Sequence, residues 1–333
     1  MSGLSTGADM KKNSLSSSDL GHKALGIFQK YNTIIVLIVL LIISSLISDV
    51  FLTERNIFNL LRQLSGIGII SMGVLLVILI GGIDLSVGSI LALGSVLSAY
   101  FLTNQSWSWP VSVLVTILAG ALIGSLSGYL VSKRRIASFI ATLAIMTIAR
   151  GLSYIISKGA PIRSDNQIMT EYIGNGFIFS IPIPVILMFL VFAITLFILR
   201  FTVWGRMITA IGSNEAAVTY SGVNVVPYKL LVFMISGGFA ALAGIISTAR
   251  TGVGSPLVGI GIELDAIAAV VVGGASLNGG KGTALNTLIG VLIIGMIGNI
   301  MNLLDVPAYP QQVIKGFIII FAVLFQGAKQ KIN

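Results

Sequence analysis

The chain has 333 residues, 56% of them hydrophobic and 9% charged, against about 25% charged in an ordinary soluble domain, and that balance describes a polytopic membrane protein. It holds no cysteine and one histidine, His22, in a polar stretch, which excludes thiol nucleophiles, disulfides and His/Cys metal sites. The formal net charge of +9 comes from Lys and Arg gathered at the ends of apolar runs, a pattern of membrane topology and anionic headgroups that argues against nucleic-acid binding.

Residues 1–30 are rich in Ser, Gly and Lys and lack an apolar segment followed by a small-residue cleavage site. They are read as a disordered cytoplasmic tail with no cleaved signal peptide, and Lys23 and Lys30 place it inside. A first span is expected from about Asn32 to Ile47. Residues 48–65, with Asp49, Glu54, Arg55 and Arg62, are read as a short amphipathic helix at the outer interface. Asp84 is then the only charge between Arg62 and Trp107. It lies in Gly81-Gly82-Ile83-Asp84-Leu85-Ser86-Val87-Gly88-Ser89, between apolar runs 66–81 and 85–103, each long enough to cross most of a hydrocarbon core of about 30 Å. The glycine pair interrupts the helix, and Asp84 is placed to N-cap the next one.

Trp107 and Trp109 suit a membrane interface. Span 4, about 110–131, carries Gly120, Gly124 and Gly128 at four-residue spacing, a bare face for close helix packing. Lys133-Arg134-Arg135 puts the next turn in the cytoplasm. Span 5, about 136–156, carries Arg150 roughly 21 Å along its axis, where an arginine snorkels or pairs, snorkelling being the default. Residues 157–181 form the largest external segment, and span 6 runs from Pro182 or Pro184 to Arg200.

In the cytoplasmic loop 201–229, Gly212-Ser213-Asn214-Glu215-Ala216-Ala217-Val218-Thr219-Tyr220-Ser221-Gly222 reads as a short helix. Ser213 or Asn214 can N-cap it, Gly222 can end it, and Pro227 prevents an immediate restart. About two turns of helix are unstable alone in water. It must dock, either on its own spans or on a cytoplasmic partner. Span 7 is expected over 230–249, followed by a glycine-rich external connection, 250–261. Glu263 and Asp265 open span 8, which ends at Gly273-Gly274-Ala275-Ser276-Leu277-Asn278-Gly279-Gly280-Lys281-Gly282. Spans 9 (283–304) and 10 (312–325) follow, and Lys329 and Lys331 lie inside.

The fold expected is therefore an all-α polytopic membrane protein with about ten transmembrane helices and both termini cytoplasmic. Its transmembrane domain covers 31–326, with a short cytoplasmic tail, 327–333. Aligned on their glycine pairs, the two breaks place Ser276 where Asp84 stands, and two glycine-interrupted segments in matching contexts point to a transport pathway. Asp84, Ser86, Ser276 and Asn278 are the candidates for lining or gating it, and Arg150, Glu263 and Asp265 for a periplasmic mouth. The same residues also fit two tight turns with capped helices, packed for stability alone. Both breaks join an inward span to an outward one, which a simple inverted repeat does not give. Gly280-Lys281 lacks the flanking residues of a phosphate-cradling loop. No catalytic set or metal cluster can be assembled, so the chain is not read as an enzyme.

Five stretches, Gly81–Ser89, Ala141-Thr142-Leu143 with Arg150-Gly151-Leu152, Gly212–Ala217, Glu263–Val270 and Gly273–Gly282, resemble the signatures of the ribose-type sugar ABC importer permeases. The resemblance covers about residues 30–326. It implies an inner-membrane permease, paired with an identical or paralogous second permease chain and bathed in membrane lipid. A periplasmic sugar-binding protein would feed it, and a cytoplasmic ATPase with two nucleotide-binding cassettes would drive it. ATP and Mg would be bound by that ATPase, and no cofactor by this chain. The resemblance also makes 212–222, with Gly212, Ser213, Asn214, Glu215, Ala216, Ala217 and Gly222, the element that couples to the ATPase. Ser213 departs from the family, where a second glycine is common. Members carry ribose, galactose, arabinose, xylose, allose or an autoinducer sugar, and the shared motifs do not separate them. The rival readings are a stand-alone ion- or proton-coupled secondary transporter, which would use intramembrane carboxylates or histidines for coupling, and a multispanning membrane enzyme.

Overall fold

Helices long and apolar enough to cross a membrane dominate the computed structural model, which describes residues 33–164 and 166–330. The expectations for residues 1–30 and for Lys331 lie outside the described residues. After α1 (Thr33–Ile47), α2 (Glu54–Leu79) is one helix of 26 residues. The separate interfacial helix expected over 48–65 is therefore corrected. No proline interrupts 54–79, and Asn56 is buried, exchanging amide hydrogen bonds of 3.0 and 2.9 Å with Asn299. A reciprocal amide pair is the kind of polar clasp that ties helices together in lipid.

α3 (Val87–Thr103) and α4 (Trp109–Ser132) follow, then α5 (Ser138–Ser157). The partner of the bare α4 face is α9 (Val226–Thr251), the most intimate pairing in the chain. A Cβ at Gly124 would run into the Phe233 carbonyl and the Gly237 Cα, and one at Gly120 into Gly237 and Ala241. The opposite α4 face, with Leu114, Leu118 and Leu122, is exposed, as a lipid-facing row should be. α9 begins four residues earlier than expected. Pro227 sits in its first turn, where the missing N–H has no helical partner to lose. It opens the helix, which corrects its reading as a block to restarting.

The segment between α5 and α6 (Ile183–Phe201) contains a π-helical turn, Ile168–Gly174, and three short strands. Strand β1 (Ile162–Arg163) pairs antiparallel with β4 (Val253–Gly254), and β2 (Phe177–Ile178) with β3 (Ile181–Pro182). This end of the molecule is the far end from α7 (Val203–Ser213) and α8 (Glu215–Tyr220). α7 was not expected.

From Thr251 the chain turns back along α3. Gly254 lies against Ser95 and Ala99, and Gly259 against Gly88 and Leu91, where side chains would collide with the α3 backbone. Gly88 is roughly 22 Å along α3 from Thr103. The connection 250–261 is therefore re-entrant, a correction to its placement as a purely external loop. α10 (Ile262–Val272) has 11 residues, about 16 Å, and is a half-helix where a full span 8 was expected. Irregular backbone at such depth is tolerated because it is buried in protein. α11 (Ala284–Leu303) and α12 (Ala308–Gln330) complete the described chain.

Candidate functional site

The end of α2 and the end of α10 are built alike and meet each other. Each helix stops at a cap residue followed by a left-handed glycine, Ile80 then Gly81 (φ 78°), and Gly273 then Gly274 (φ 89°). At these helix ends the two breaks are one residue out of register with the glycine-pair alignment. Beyond them the alignment holds. The Ser86 N–H donates to Asp84 Oδ1 at 3.0 Å, and the Asn278 N–H donates to Ser276 Oγ at 3.3 Å, the same side-chain turn in both breaks.

Neither Asp84 nor Ser276 is an N-cap. The caps are Ser86 for α3 and Thr283 for α11, whose Oγ1 accepts from the Asn286 N–H. The expectation for Asp84 is corrected because its carboxylate is turned inward. It is 1% exposed and also accepts from the hydroxyls of Ser86 (2.6 Å) and Ser236 (2.8 Å). Ser236 belongs to α9, so the carboxylate ties the first break to the central helix. The α5 hydroxyls hold the backbone on either side of it: Ser138 Oγ accepts from the Ile83 N–H at 3.0 Å, and Thr142 Oγ1 from the Leu85 N–H at 3.2 Å. Ser138, Thr142 and Ser236 were not site candidates in the sequence, although Thr142 lies in the Ala141-Thr142-Leu143 signature. The four-residue spacing of Ser138 and Thr142, on one face of α5, was the signal for two of them.

The second break is joined to the first through the backbone. The Gly280 N–H donates to the Leu79 carbonyl at 2.9 Å, satisfying an orphan group at the end of α2. Gly212, near the end of α7, packs into the same corner. A Cβ there would meet the Leu79 carbonyl and the Gly280 N–H, and one at Gly280 would meet Ser213. Asn214 then N-caps α8, its Oδ1 accepting from the Ala217 N–H at 2.9 Å, and Gly222 follows at φ 84°. α8 has no buried residue. Among the described residues its one ionic tether is Glu215, whose two oxygens accept from Lys229 Nζ at 2.7 and 2.6 Å. Between α8 and the first break lies a cavity of about 550 Å³, lined on one side by Glu215, Thr219 and Lys229 and on the other by Gly81, Gly82 and Ser138. Asp84, Ser86 and Ser276 are sealed inside, while Asn278 is exposed. Gly212 and Ser213 thus meet the second break at the Leu79 carbonyl, while Asp84 and Ser86 sit deeper, beside Ser236, which packs on Gly73 about 9 Å before Leu79 on α2.

Arg150, Glu263 and Asp265 sit elsewhere, on and around the re-entrant segment. The Arg150 guanidinium donates to the carbonyls of Pro256 (2.6 Å) and Val258 (2.9 Å). Snorkelling is corrected: those carbonyls have no sheet or helix partner and draw the cation inward. Glu263 approaches Gly88 at the start of α3. Asp265 Oδ2 pairs with Lys315 Nζ of α12 at 2.7 Å. Arg150→Met removes two charge-assisted bonds, a loss of roughly 2 kcal/mol. A lower unfolding temperature of the purified protein in detergent is the expected result, whereas a snorkelling side chain would leave it unchanged.

The family described as "Branched-chain amino acid transport system / permease component" matches residues 56–323. The ribose import permease protein RbsC of Haemophilus influenzae is 45% identical over 318 residues, 95% of this chain and 97% of the relative. RbsC of Bacillus subtilis is 44% identical over 309 residues, 91% and 94% of the two chains. The D-allose transport system permease protein AlsC of Escherichia coli is 39% identical over 297 residues, 89% and 91%. No solved structure matches the chain.

Proposed function

The chain belongs to this permease family and, within it, to the ribose-type sugar ABC permeases, and from that premise we propose that it imports a ribose-like monosaccharide by alternating access at the paired helix breaks. It is a multi-pass protein of the bacterial inner membrane and the permease subunit of an ABC importer for a sugar. The family description names amino acids. The sugar reading rests on relatives named for ribose and allose that align over nearly their whole length.

A separate cytoplasmic ATPase with two nucleotide-binding cassettes supplies ATP and Mg chemistry, a periplasmic binding protein delivers the sugar, and a second permease chain completes the path. Ten membrane segments, α1 to α6 and α9 to α12, with both termini cytoplasmic, put α8 on the ATPase side. The observation that carries the mechanism is the backbone bond from Gly280 to Leu79 beside Gly212. A push on α8 reaches both breaks through main chain, with no long side chain to absorb it. Asp84, Ser86, Ser276 and Asn278 act there as the gate, and the ATPase and the loaded binding protein stabilise opposite states.

The test is reconstitution in liposomes with the ATPase and binding protein encoded beside this chain, measuring ATP hydrolysis and uptake across a panel of sugars. Stimulation by one loaded binding protein is expected. ATP-independent uptake by this chain alone would replace the reading with a secondary transporter.

A further inference from the structure

Apart from Asp84 in the first break, four charged residues lie on and around the re-entrant segment, and they divide into two pairs. Arg150 and Glu263 turn inward, toward the 256–258 carbonyls and the start of α3. Asp265 and Lys315 pair with each other between α10 and α12, their side chains 16% and 33% exposed among the described residues. They line a cavity of about 380 Å³ with Ile260, Gly261, Leu264 and Gln312. That volume falls within the roughly 300–1,000 Å³ of small-molecule sites. Asp265 is in the first turn of a half-helix that starts roughly 22 Å below the far end of α3, and Lys315 is roughly 10 Å along α12. Charged side chains at such depth face water-filled cavities or other protein rather than lipid.

The geometry points to this cavity as the place where the permease holds its sugar in transit. The inference rests on the importer reading above and deepens it. The pair at 2.7 Å is neutral overall, so the site suits a ligand without net charge. It remains rich in hydrogen-bonding capacity. Lys315 spends one N–H on Asp265 and keeps two, while Asp265 Oδ1 and the Gln312 amide make no hydrogen bond among the described residues. Donors and acceptors thus alternate over a few ångströms, matching vicinal hydroxyls. Ile260 and Leu264, 70% and 50% exposed, offer apolar surface to the C–H face of a sugar ring. Gly261 and Gly316 keep the wall low.

The absence of cysteine makes the test clean. Gln312→Cys and Leu264→Cys, each in the assembled complex with its ATPase and binding protein in liposomes, are treated with a water-soluble methanethiosulfonate reagent, with and without D-ribose, D-allose or L-arabinose. Both cysteines are expected to react, and the transported sugar to slow the reaction several-fold. Gln312→Ala is expected to lower uptake about tenfold or more, as loss of a polar partner for a substrate hydroxyl does, while binding-protein-stimulated ATP hydrolysis stays within about twofold. A merely structural role would depress both. Failure of either cysteine to react, because lipid or a second copy covers it, would overturn the site. So would reaction that no sugar slows, or uptake by Gln312→Ala and Lys315→Met within about twofold of wild type. Wild-type liposomes in which no loaded binding protein stimulates ATP hydrolysis, across the full sugar panel, would overturn the importer reading, whereas stimulated hydrolysis with unprotected cysteines would overturn the site alone.

Discussion

Leucine at position 124 is expected to leave no folded permease. Gly124 rests on the Phe233 carbonyl and the Gly237 Cα, both main-chain groups of α9 that no rotamer change can move aside. Overpacking of a well-filled interface costs about 1–3 kcal/mol when side chains can yield, and here the backbone must yield. The whole helix would have to move, carrying Ser236 away from Asp84. Gly124→Leu should give little monodisperse protein in detergent. Leu122→Ala, a substitution on the exposed side of the same helix, should behave as wild type. Equal recovery of both variants would mean that α4 and α9 do not pack in this way.

Asp84→Ala carries the second large effect. It leaves the Ser86 N–H and the Ser86 and Ser236 hydroxyls without their acceptor inside a buried site. Buried unsatisfied donors cost about 1–3 kcal/mol each, and hydroxyls that rotate to other carbonyls recover part of it, so a loss of roughly 3 kcal/mol is expected. Asp84→Asn should cost only about 1 kcal/mol. Its carbonyl keeps the Ser86 bonds, and its amide can donate to the Ser236 oxygen. Unfolding temperatures should order wild type, Asn, Ala, with uptake following. If Asp84→Asn and Ser276→Ala both leave uptake and ATPase coupling intact, the two positions only shape turns and the gate is not built on them.

What could be read in the sequence was local. The α4 stripe needs only a spacing of four, and the α8 caps need only Asn214 and Gly222 in place. Both breaks announce themselves by glycine pairs inside apolar runs. The rest depends on partners distant in the chain. Ser236 lies 152 residues from Asp84, and nothing beside either residue names the other. Hydropathy gives the length of apolar chain but not its depth, so it reads the re-entrant 250–261 connection as an outside loop and the half-helix α10 as a whole span. The sign of depth was a run of glycines too dense for a loop needing only one or two turns. Arg150 was misplaced for the same reason: its partners are main-chain carbonyls, which carry no sequence signature.

Gly212→Ala in the reconstituted complex shows whether α8 drives both breaks through the backbone corner at Gly212. The added methyl would press on the Leu79 carbonyl and the Gly280 N–H, loosening the corner while leaving α8 free to dock. ATP hydrolysis within about twofold of wild type, with sugar uptake reduced about tenfold, equivalent to roughly 1.4 kcal/mol, is the predicted result. Uptake and hydrolysis both at wild-type rates would contradict it.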